Sequence, residues 1–187
     1  MANKVKFGLK NVHYAIYDAE KGTYAAPVAW PGAVSLSLDN DGDITNFAAD
    51  DNAKYASFND ANGMSGDLEM AYTPDQVKID LLGYTKDANG NISDNPDAAT
   101  VRFQLLFEIS SNVSNDIVVL HDCTLSDAGI DANTRSDSTD PDTDSLSLSA
   151  AIHQFDGFRC CKSRIPSSSA DYATAYTKGF TPTKATE

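Results

Sequence analysis

Polar and apolar side chains alternate with a period of two along much of the chain. The clearest stretch is 145–152, where Leu146, Leu148, Ala150 and Ile152 alternate with Ser145, Ser147, Ser149 and Ala151. Successive side chains leave a β-strand on opposite faces, so this pattern predicts a strand with one dry and one wet face. Residues 101–109 repeat it, with Val101, Phe103, Leu105, Phe107 and Ile109 on one side and Arg102, Gln104 and Glu108 on the other. A third strand is expected at 117–123, which is rich in β-branched residues. The polar run 110–115 between the last two predicts a turn and therefore a hairpin. Upstream, 34–38 and 43–47 flank Asp39-Asn40-Asp41-Gly42. An Asp-Gly pair tolerates the positive φ of a tight turn, so a second hairpin is expected there. Further strands are expected at 12–16, 24–29 and 68–72.

One helix interrupts this pattern. Thr73 is placed to cap it, Pro74 suits its first position, Gln76 would complete a capping box with Thr73, and Gly83 would end it after Leu81 and Leu82. The expected fold class is mainly β (α+β), one domain over 1–187. An acidic loop at about 126–144 and an Ala, Thr and Ser-rich tail at about 167–187 are both expected to be mobile.

Composition narrows the function classes. Against 27 acidic side chains stand only 14 basic ones, a formal net charge of -13, so the chain as a whole repels a phosphate backbone rather than gripping it. No apolar run approaches the roughly 20 residues of a membrane-spanning helix. The N-terminal residues carry no apolar signal region, so synthesis and folding in a cytoplasm are expected. Cys123, Cys160 and Cys161 include no CxxC and are expected to be free thiols.

No motif for catalysis stands out. Asp140-Pro141-Asp142-Thr143-Asp144 opens like a calcium loop, but Ser145 replaces the required Gly and Ala151 the bidentate Glu. Asp39, Asp41 and Asp43 repeat the spacing, with Ile44 at the glycine position. His13, His121 and His153 have no nucleophile at a recognisable elbow. The expectation is a non-enzyme with no cofactor and no metal.

Read in order, a set of short segments resembles a known family. Lys6-Phe7-Gly8-Leu9-Lys10-Asn11-Val12-His13-Tyr14-Ala15 is similar to the start of major tail proteins of siphophages that infect Gram-positive bacteria. Tyr24-Ala25-Ala26-Pro27-Val28 and Pro31-Gly32-Ala33-Val34-Ser35-Leu36-Ser37-Leu38 follow in the family's order. So do Phe47-Ala48-Ala49-Asp50-Asp51-Asn52, Gly66-Asp67-Leu68-Glu69-Met70-Ala71 and Phe103-Gln104-Leu105-Leu106-Phe107-Glu108. The resemblance covers about the first 110 residues and departs from the family at the extra Ala48.

The resemblance implies a β-sandwich or barrel-like tail tube subunit with one flanking helix, an N-terminal arm at about 1–11 and a long loop. It further implies hexameric rings stacked into a hollow tail tube in the virion, built in the host cytoplasm around the tape measure protein and bounded by tail terminator and distal tail protein. DNA would pass through without specific binding. An acidic, Ser-rich wall would suit that passage, which nominates Asp39, Asp41, Asp43, Ser145, Ser147 and Ser149 as lumen-facing. Lys4, Lys6, Phe7, Asp137, Asp140, Asp142 and Asp144, from arm and loop, are nominated for contacts between subunits. The alternative is a carbohydrate- or surface-binding β-sandwich module of a virion, for which Trp30, Tyr55, Phe58, Tyr172 and Tyr176 could serve as exposed aromatics, although packing or interface roles are favoured for them.

Overall fold

The computed structural model describes residues 5–111, 113–127, 129–130 and 141–184. The chain enters through β1 (Lys6–Asp18), β2 (Thr23–Tyr24), β3 (Val28–Ala29) and β4 (Ala33–Asn40). Next come β5 (Asp43–Ala49), β6 (Asn52–Asp60), β7 (Met64–Met70) and α1 (Asp75–Leu82). After the short pair β8 (Thr85–Lys86) and β9 (Ile92–Ser93) it continues as β10 (Phe103–Ser111), β11 (Asp116–Asp127) and β12 (Asp144–Ala150). It closes with β13 (His153–Phe155), β14 (Phe158–Cys160), β15 (Lys162–Pro166), a 3-10 turn at Ala170–Ala173 and α2 (Ala175–Lys178). The fold is mainly β, with antiparallel sheets and few helices.

The main sheet runs β2-β1-β10-β11-β12-β7-β4, and it curls so that β4 at one end approaches β1 near the other. Alternation explains the curl: Leu68, Leu146, Leu148, Phe103, Leu105 and Leu120 all point inward and are buried, and a sheet with one apolar face hides it by closing on itself. Trp30 is fully buried and meets the ring of Tyr14 edge-on at 6.3 Å. The position of Trp30 in the core removes it from any exposed aromatic platform.

α1 lies across the end of the core where β11 stops and β12 starts. Val77 and Leu81 face inward, and the Tyr14 hydroxyl donates to Asp80 Oδ2 at 2.7 Å. Gly83 ends the helix in the left-handed region, as expected. The expected capping box does not form. Extended backbone at Pro74 makes that residue the cap, which moves the frame by one position. Thr73 instead donates its backbone N–H to Asp144 Oδ2 at 2.7 Å, and Gln76 donates to Asp80 Oδ1.

Two further expectations are corrected outside the core. Residues 6–11 are not an arm: they open β1 and pair with β10, Lys6 opposite Ser111 and Phe7 opposite Ser110. The tail expected to be flexible is docked as a third layer. Leu106, Ile117, Val119 and Ile165 form a second buried cluster with Ala15 and Ala175, and Tyr172, Tyr176 and Phe180 pack against it. Under this layer Gln104 and Glu108, on the face that reads as polar in the sequence, are buried. Burial is tolerable because Glu108 is paired with Lys10 at 3.3 Å and Asn11 at 3.0 Å. Of the expected acidic loop, 131–140 and Ala128 lie outside the described residues.

The hairpin expected around Asp39–Gly42 is replaced by a longer one. β4 pairs with β7 inside the main sheet, while β5 and β6 pair with each other as a separate two-stranded sheet. The strands of 33–70 thus form one long hairpin arm, its inner half in the main sheet and its outer half two-stranded, with a joint in the middle. Backbones crowd at the joint, where a Cβ on Gly42 would overlap the carbonyl of Asp60 and one on Gly63 that of Ala150. The tip is Asp50-Asp51, both with positive φ, the backbone of a tight hairpin turn.

Candidate functional site

The register brings a set of polar side chains onto the outer face of β11-β12-β7-β4. Ser35 lies beside Glu69 and Ser145 in one row across the strands. Ser37, Asp67, Ser147 and Ser126 form the next, and Asp39, Ser65, Ser149 and Thr124 the one after. Their inward neighbours are the core leucines, so the alternation that builds the core also builds this face. Every side chain in these rows is a hydroxyl or a carboxylate, and none is a cation. Hydroxyls donate into the carboxylates: Ser35 to Glu69 at 2.8 Å, Ser147 to Asp67 at 3.4 Å, and Ser65 to Asp41 at 2.6 Å. Each such bond neutralises no charge, so the face stays negative.

Of the nominated lumen residues, Asp39, Ser145, Ser147 and Ser149 thus fall on one surface. Asp41 sits at its margin on the joint of the arm. Asp43 lies farther out, directly opposite Asp60 across the arm. Sequence reading missed Ser35, Ser37, Ser65, Asp67, Glu69, Thr124 and Ser126. Their alternation was visible, but the strand order that aligns them was not.

The outer half of the arm, β5 and β6, carries apolar side chains on both faces. Phe47 and Phe58 share one face, Ile44 and Tyr55 the other, and all four are exposed by 56–67%. A two-stranded ribbon is marginal on its own in water, and large apolar groups displayed together mark a surface meant to be covered. Sequence reading assigned 43–47 to a hairpin strand and weighed Tyr55 and Phe58 as sugar-binding aromatics, with packing or interface roles favoured.

The nominated contact residues are scattered. Lys4, Asp137 and Asp140 lie outside the described residues. Asp142 is exposed, and Asp144 is engaged within the subunit by the N–H of Thr73. Lys6 borders an open groove of about 790 Å³ at the end of the core opposite α1.

One buried constellation resembles catalytic machinery. His121 is fully buried, with Nε2 at 2.9 Å from Ser163 Oγ and Nδ1 at 3.0 Å from Gln104 Nε2. The amide of Gln104 is oriented by Phe180, whose N–H it accepts and whose carbonyl it donates to. Gln104 must therefore present N–H to Nδ1, which leaves the imidazole proton on Nε2, pointing at Ser163. A general base needs the opposite tautomer. Burial, with His153 nearby as a second cause, lowers the His121 pKa to about 4, which weakens it further as a base.

The three cysteines are free thiols. Burial raises the Cys123 pKa and also that of Cys160 and Cys161, the opposite of thiolate activation. Among the described residues no group of His, Cys, Asp and Glu is arranged to hold a metal ion, and no helix is long and apolar enough to cross a membrane. Comparison of the sequence with protein-family models and with curated proteins gives no match.

Proposed function

We propose that this chain is a structural virion protein, the subunit of a siphophage tail tube, which assembles into stacked hexameric rings and encloses the conduit for DNA. The observation that carries the reading is the cation-free face of hydroxyls and carboxylates on β11-β12-β7-β4. A conduit for DNA works if its wall attracts water more than phosphate. Carboxylates repel the backbone, hydroxyls hydrate the wall, and the absence of Lys and Arg from these rows leaves nothing to exchange with condensed counterions. The order of the family-like segments from Lys6 to Glu108 supports the same reading. So does an arm whose apolar faces require a neighbour, since a tube needs contacts that are not all satisfied within one subunit.

In this reading the tape measure protein fills the bore during assembly, and the terminator and distal tail protein meet the two ends. The test is negative-stain electron microscopy of the concentrated protein beside its mass in solution. Rings or hollow tubes of uniform bore are expected. Aggregates without a bore, or a chain that stays monomeric even with a tape measure protein and a tail initiator present, would overturn it.

A further inference from the structure

We infer that the outer arm of one copy, β5 and β6, seats in the groove at the open end of the core of a second copy. The inference rests on the assembly reading above and names the surfaces that meet. The groove is lined by the apolar Leu36, Leu38, Phe107, Ile109 and Val118 and by the exposed cations Lys6 and Lys162, with Arg164 beside them already paired within the subunit to Asp116 at 3.7 Å. The arm is its complement in both respects. Phe47 and Phe58 project from one of its faces, and on that same face, toward the joint, stand Asp43 and Asp60.

Charge complementarity selects the occupant. In a chain of net charge -13, cations gathered around an apolar groove are uncommon, and the outer arm carries Asp43, Asp50, Asp51 and Asp60 against Lys54 alone. Opposed carboxylates at Asp43 and Asp60 repel each other in the free subunit. Cations lining a neighbour's groove relieve that repulsion, so the arm is electrostatically better off bound than free.

Size agrees. Seven residues of β5 extend the arm by about 24 Å. Phe47 and Phe58, the two aromatic side chains on the inserting face, can bury about 150–250 Å² each when covered, about 300–500 Å² together, and the strands around them supply the rest of the roughly 800 Å² per partner of a standard interface. The arm cannot fill its own groove. Its strands continue β4 and β7 outward from the same end of the core, and turning back would break the register on either side of Gly42 and Gly63. Arm and groove are different surfaces of one subunit, so their contact is head-to-tail, the kind that closes a ring or extends a stack.

The test uses two variants. F47S/F58S removes the aromatic insert and leaves the groove, and K6E/K162E reverses the exposed cations of the groove and leaves the arm. Each alone is expected to weaken self-association, by about 100-fold for the arm variant and about tenfold for the groove variant, the latter more at low salt. Adding D43K/D60K to the groove variant is expected to restore association, since the charges are then exchanged. An equimolar mixture of F47S/F58S with wild type should shorten assemblies, because an arm-less copy accepts one neighbour and offers itself to none. All variants change exposed side chains, and circular dichroism verifies that they fold. Wild-type association that survives F47S/F58S unchanged overturns the inference while leaving the tube reading intact. Association that depends on these residues but yields no hollow tube upholds the inference and overturns the tube reading. A wild-type chain that never self-associates overturns both.

Discussion

Gln104 grips Phe180 by both ends of its amide. The Phe180 N–H donates to Oε1 at 3.0 Å and Nε2 donates to the Phe180 carbonyl at 2.7 Å, across a separation of 76 residues. Gln104 itself is fully buried. A polar side chain in the middle of a sheet is thereby turned into the fastening for the C-terminal layer.

Q104L should undo that fastening. Two backbone groups of Phe180 and one nitrogen of His121 lose partners in a site with little water, so destabilisation of roughly 2–4 kcal/mol is expected. A shift in the denaturation midpoint measures it. Hydrogen exchange should show lost protection confined first to Phe180 and the turn around α2, with β10 and β11 unaffected until global unfolding.

His121 makes stability depend on pH in a defined direction. Its folded pKa, about 4, lies below the ordinary value of 6.5, so the unfolded chain binds the proton more readily. The contribution of the neutral imidazole is complete above pH 6.5 and is lost as pH falls toward 4, amounting to roughly 3 kcal/mol. The groups around it are Gln104, Ser163 and the rings of Tyr24, Phe155 and Phe180, with His153 and Asp122 beyond. H121Q should flatten the melting temperature between pH 6.5 and 5, a window above the range in which ordinary carboxylates titrate. An unchanged slope would assign the dependence to another group.

Much of the core was legible because period-two alternation survives folding unchanged: Leu146, Leu148 and Ala150 are buried and their serine neighbours exposed. Partner choice was not legible. Asp41-Gly42 carries a strong turn signal, yet the chain runs on past it, because pairing of β4 with β7 leaves Gly42 packed against the backbone of Asp60. The true turn, Asp50-Asp51, lacks glycine and relies on the tolerance of Asp for the left-handed region. The tail was misread for a related reason. Its Ala, Thr and Ser content hides Tyr172, Tyr176 and Phe180, which are spaced to cover one patch of the sheet. For the candidate face, each strand's polar side was visible, but adjacency of β12, β7 and β4 arises only from tertiary pairing.

Gly66 tests that adjacency directly. It lies in β7 between Leu38 and Leu148, and a Cβ there would overlap the carbonyl oxygen of Ser37. Backbone on a paired strand cannot step aside without opening the β4–β7 ladder. G66A is expected to cost about 1–3 kcal/mol, the usual range for forced overpacking, whereas S65A on the solvent side should stay within about 0.5 kcal/mol. Thermal denaturation of the two variants decides it. Equal, small effects would mean the strands are not paired as described.

The cation-free face makes the last prediction, which bears on the proposed conduit. D67K/S147K places lysines in the row Ser37-Asp67-Ser147-Ser126 without touching the core, so the fold should persist. Wild-type protein should bind duplex DNA negligibly at physiological salt. The variant should bind it with a salt slope of about −0.9 for each phosphate that the new lysines neutralise. Location distinguishes a wall from an outer surface. In assembled tubes, short duplexes held by D67K/S147K should resist nuclease, because they lie inside the bore. Duplexes held by a control lysine at S168K, on the exposed C-terminal layer, should be digested. If both are digested alike, the face of serines and carboxylates points outward, and a different surface must line the bore.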